Sequence, residues 1–162
     1  MSGLSHPVLG LDHLLAMIAV GVLGAQMRGK AVWLVPTTFV GLMLAGGLLG
    51  MNGIAFVSVE VGIAASVVFM GIALAVEKKL PLVPAMTAVG FFALFHGHAH
   101  GTEMPELAAP ILYAGGFLAG TALIHITGVS LVFISTAFPS GSQFLRYVGA
   151  GIAGIGIHLI IG

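Results

Sequence analysis

The sequence predicts an all-α integral membrane protein, a single-domain bundle of six transmembrane helices with both termini outside. Three observations predict it. Of the 162 residues, 59% are hydrophobic and 6% charged, and the mean hydropathy is +1.17; a soluble domain of this length cannot hide that much apolar surface. The apolar stretches are continuous rather than alternating at period two, so helices rather than barrel strands satisfy the backbone in lipid. Charged residues, Pro and Gly interrupt the chain at intervals near the roughly 20 residues that a hydrocarbon core about 30 Å thick requires.

The first span, 7–27, opens with Pro7, a residue suited to a first helical turn, and stops at Arg28-Gly29-Lys30. The second, 31–50, ends at Met51-Asn52-Gly53, and the third, 54–76, at Glu77-Lys78-Lys79-Leu80-Pro81. The fourth, 81–98, runs into the polar tract from Ala99 to Leu107; the fifth, 108–137, stops at Phe138-Pro139-Ser140-Gly141; the sixth is 144–162. Every connection is short, which leaves no linker and one domain.

The basic residues orient the bundle. Arg28 and Lys30 fall in the first connection, Lys78 and Lys79 in the third and Arg146 beside the fifth, while the second and fourth carry none. By the positive-inside rule that side is cytoplasmic, so the termini and the fourth connection, with Glu103 and Glu106, face outward. An outward N-terminus so close to the first span fits either a removed leader or translocation of a short uncharged tail.

Several classes are excluded. With no cysteine there is neither a disulfide nor a thiolate metal site. Zero net charge and no basic run longer than Lys78-Lys79 give nucleic acid nothing to bind. The stretch from Gly24 to Lys30 starts like a phosphate-binding loop, but Ala31 stands where Ser or Thr is needed, so no ATP site is indicated. Ser140-Gly141-Ser142 lacks the frame of a hydrolase nucleophile elbow.

Against this apolar background the histidines cluster. Three of the seven, His96, His98 and His100, fall within five residues just ahead of Glu103, and His6 and His13 flank Asp12 at the other end of the first half. His96, His100 and Glu103 are spaced to share a helical face if the helix continues, with His98 pointing elsewhere. His13 and Met17 share a face one turn apart, and His6 is an outer, mobile ligand. Glu60 lies in the outer part of the third span, His158 near the outer end of the sixth, and His125 near the bilayer centre. Ionisable groups within a membrane are costly and face an interior or aqueous path. We therefore expect Asp12, His13, Glu60, His96, His125 and His158 to converge on one outward-opening path, and His6, His98, His100 and Glu103 to collect an ion at its mouth. The bland alternatives are histidines as interhelical hydrogen-bond partners, the His96–His100 tract as a surface metal scavenger, and Asp12 as a helix-dipole partner.

The segments HPVLGLDHLLAMIAVG at 6–21 and FHGHAHGTE at 95–103 resemble the two signatures of the HupE/UreJ family of bacterial membrane proteins. The first also resembles the histidine-aspartate-histidine pattern of nickel/cobalt permeases. The resemblance implies His6, Asp12, His13, His96, His100 and Glu103 as motif positions, without insisting on histidine at 98. It further implies a multi-pass protein of the bacterial inner membrane, a link to the nickel enzymes hydrogenase and urease, and uptake of nickel, in some members cobalt.

Imidazole and carboxylate ligands suit Ni²⁺, Co²⁺, Zn²⁺ or Fe²⁺ and disfavour a dedicated Cu(I) site; the resemblance puts Ni²⁺ first, then Co²⁺ and Zn²⁺. The expected function is a passive or potential-driven permease rather than an enzyme. The sequence is compatible with a homo-oligomer. Two other readings use the same ligands: an intramembrane zinc hydrolase with a metal-activated water, and a metal-binding accessory protein that does not transport.

Overall fold

The structure, a computed structural model, describes residues 10–77, 80–104 and 109–162. They fold into six helices: α1 Leu11–Met27, α2 Ala31–Met51, α3 Val59–Val76, α4 Leu82–Thr102, α5 Pro110–Ser135 and α6 Gly141–Ile161. There is no strand among the described residues. Helices α2 to α6 are long and apolar enough to cross a membrane. At 17 residues α1 is shorter than the roughly 20 that a full crossing takes.

The expected boundaries shift at two functional places. The third helix starts at Val59 rather than near 54, because Gly53 and Ser58 both take left-handed backbone, with φ of 71° and 53°, and set 52–58 apart as a loop. The fourth helix continues past 98 to Thr102, so all three clustered histidines are helical, and Glu103 caps its end by donating its N–H to the Ala99 carbonyl.

Helix α1 is the central stave. Ten of its 17 residues are buried, and it packs against every other helix, most extensively α5. Around it α2 pairs with α4 and α3 with α6. Glycines make these pairings close: a Cβ at Gly97 would strike the Met43 carbonyl across α2 and α4, one at Gly21 the His125 carbonyl across α1 and α5, and one at Gly71 the Ala153 nitrogen across α3 and α6. Lipid offers helices no hydrophobic reason to associate, so such backbone approach supplies the packing. Of the glycines on α6, Gly149 and Gly156 face α3, whereas Gly151 and Gly154 meet nothing within 4 Å.

The polar groups divide between the two ends. Asp12, His13, Glu60, His100 and Glu103 line a cavity of about 230 Å³ at one end. At the other, Gln26, Arg28, Glu77, Ser135 and Ser142 contribute to one of about 660 Å³. There Ser142 donates to Glu77 at 2.6 Å, and Arg146 Nε donates to the Ala75 carbonyl at 2.9 Å.

Candidate metal centre

Helix α1 begins after Gly10, in extended conformation, and places Asp12 in its first turn. The Asp12 carboxylate accepts from the backbone N–H of His13 at 2.7 Å and lies 2.9 Å from its ring Nδ1. A Cβ on residue 10 would come within 2.9 Å of that carboxylate oxygen and 3.2 Å of Nδ1, so glycine leaves the pair its room. An ionised carboxylate only accepts, so Nδ1 carries the proton and the neutral ring keeps its lone pair on Nε2. That Nε2 is buried and has no protein hydrogen-bond partner.

His96, fully buried on α4, repeats the arrangement with a hydroxyl. Ser66 Oγ on α3 lies 2.6 Å from the Ile63 carbonyl and 2.8 Å from His96 Nε2. A serine has one proton to give; spent on Ile63, it leaves Oγ to accept from His96 Nε2–H, and the lone pair falls on Nδ1. This nitrogen too is buried without a protein partner. Each ring thus has one N–H engaged, Nδ1 in His13 and Nε2 in His96, and its opposite nitrogen available, the pattern that orients metal-binding imidazoles.

The two rings touch. His13 packs edge-on to His96 with centroids 4.7 Å apart and to His100 at 4.4 Å; His100 also lies 4.1 Å from Phe117 of α5. Beneath them Phe39 of α2 lies 5.5 Å from the His96 ring and 5.4 Å from that of His125. Among the described residues no three His, Asp or Glu groups stand as a ready-made metal set; the imidazoles pack on one another. Glu60 and Glu103 are exposed in the cavity above, with Asp12 half-buried beside them.

The other candidates lie apart. His98 turns to the 52–58 loop, donating Nε2–H to the Ile54 carbonyl at 2.7 Å and stacking on Phe56 at 4.6 Å, an anchoring arrangement. His125 is buried below Phe39, one aromatic ring away from His96. His158 is exposed on α6, outside the cavity lining. Met17 is fully buried in the hydrophobic core. His6, Lys78, Lys79 and Glu106 lie outside the described residues. Sequence reasoning missed Ser66, Phe39 and Phe117, and also the fully buried Thr121 of α5. Thr121 precedes His125 by one helical turn, a legible signal, whereas nothing marks Phe39 among ten phenylalanines.

The fold and this interior define a multi-pass helical membrane protein with an acid-lined mouth over touching histidines. The chain belongs to the HupE/UreJ family: the family model described as HupE / UreJ protein matches residues 1–159. It is similar to Protein HupE of Rhizobium leguminosarum bv. viciae, with 43% identity over 162 residues, covering 100% of this chain and 84% of that one. No solved structure matches it. The family is of the hydrogenase and urease accessory type, associated with nickel and cobalt transport.

Proposed function

We propose that the protein is an uptake permease for a divalent transition-metal ion, Ni²⁺ before Co²⁺, driven by the membrane potential across the bacterial inner membrane. The observation that carries this reading is the pair of buried lone pairs, His13 Nε2 and His96 Nδ1, on touching rings whose other nitrogens are engaged by Asp12 and Ser66. The histidine end faces outward and the end with Arg28 and Arg146 faces the cytoplasm. Asp12, Glu60 and Glu103 attract the hydrated cation into the mouth, and His6 and His100 exchange its first waters. The ion then parts the His13 and His96 rings and is held partly dehydrated, its charge offset by Asp12 behind His13. Phe39 separates this position from His125 on the inward side.

A doubly charged ion moving inward gains about 4.6 kcal/mol per 100 mV, enough to drive accumulation without ATP. The test is initial uptake into sealed proteoliposomes of Ni²⁺, Co²⁺, Zn²⁺ and Mg²⁺ under imposed potassium-diffusion potentials. Ni²⁺ and Co²⁺ flux should rise with inside-negative potential, and Mg²⁺, which holds its water and prefers oxygen ligands, should not enter. Binding of Ni²⁺ without flux would make the protein an accessory binder instead.

A further inference from the structure

We propose that Thr121 and His125 of α5 form a second, inner station for the ion, one helical turn apart and inward of the His13–His96 pair. The inference rests on the permease reading for its direction of travel. Phe117, Thr121 and His125 recur every four residues, so they share one face of α5 with about 6 Å between successive members. Contacts at both ends show where that face points: Phe117 packs on the His100 ring, and His125 packs on Phe39, whose ring also lies against that of His96. Thr121, between them, faces the same interior.

Both side chains are deeply buried, Thr121 at 0% and His125 at 3% exposure, and Thr121 Oγ1 and His125 Nε2 have no protein hydrogen-bond partner. The threonine is the more telling. Thr37, Thr38, Thr102, Thr127 and the cap residue Thr136 each donate their hydroxyl to a carbonyl one turn back, and among the other helical threonines Thr87 is exposed. Thr121 does not, although burial makes its orphaned hydroxyl costly. A hydroxyl oxygen and an imidazole nitrogen on one face supply a mixed oxygen and nitrogen site for a divalent cation that still carries water. The path then continues to Gln26, whose buried Nε2 is likewise without a protein partner and which lines the cavity at the far end.

The natural absence of cysteine makes a direct test possible. Thr121→Cys and His125→Cys each introduce the sole thiol, and Ala122→Cys on the exposed side of α5 is the control. Purified protein is treated with methylmercury with and without Ni²⁺, and modification is read by mass spectrometry. The thiols at 121 and 125 should react and be protected by Ni²⁺ at least five-fold, while the control shows no protection; thiols that are unreached or unprotected overturn the station. In proteoliposomes, Thr121→Val and His125→Phe should lower Ni²⁺ flux at least ten-fold, with Thr121→Ser restoring it, while Ni²⁺ affinity at the outer pair stays within two-fold. Flux undiminished in both variants also overturns it. Wild-type liposomes without flux would remove the permease reading alone, and the protection measurement would then decide the inner site.

Discussion

At the scale of single residues, metal binding at the proposed site depends on which nitrogen of each ring bears the proton. Asp12 fixes this for His13 and Ser66 for His96, so the two partners are separable by mutation. Asp12→Asn can still accept from His13 Nδ1–H but has lost its charge, whereas Asp12→Leu loses both functions. We predict that Ni²⁺ affinity falls about ten-fold in Asp12→Asn and further in Asp12→Leu, with Ser66→Ala costing about ten-fold; isothermal titration would read all three, and equal affinities in the two Asp12 variants would remove the orienting role. Acidification should act in the same direction. Only the neutral imidazole ligates a cation, so Ni²⁺ affinity should fall as the solution is acidified, with proton release on binding in the acid part of the series. His98→Ala should leave affinity unchanged, because its ring holds the 52–58 loop.

At the scale of helices, glycine placement decides which pairs approach. Gly97→Ala would drive a methyl into the Met43 carbonyl, whereas Gly151→Ala meets open space. The first should cost about 1 to 3 kcal/mol of stability and the second almost nothing, measured by thermal unfolding in detergent. This contrast also shows what the sequence made legible. The six apolar segments and the shared face of His96 and His100 followed from spacing alone, and the structure differs mainly where turn backbone at Gly53 and Ser58 shortens α3 and where α4 runs on through its histidines. The residues that complete the centre were not legible, because Ser66 and Phe39 reach it by cross-helix packing of α3 and α2, which no local pattern encodes. For the same reason the run of small residues on α6 could not be divided into those facing α3 and those facing outward.

At the scale of the molecule, the proposed cation path uses the polar cavities at opposite ends of an apolar bundle and the buried imidazoles between them. Its direction is tested by single thiols: Asn52→Cys at the histidine end should react with an impermeant reagent added outside intact cells, and Thr136→Cys at the basic end should not. Reversal of that pattern would put the histidines in the cytoplasm. Within that path, His13 Nε2 and His96 Nδ1 are proposed to take the ion together. This pairing is tested most directly by anomalous diffraction at the nickel edge from Ni²⁺-loaded crystals. A peak is expected between α1 and α4, about 2.1 Å from both nitrogens, with Asp12 behind His13 and Ser66 behind His96; nickel confined to the rim near His98 or Glu103, with none between those helices, would overturn that assignment.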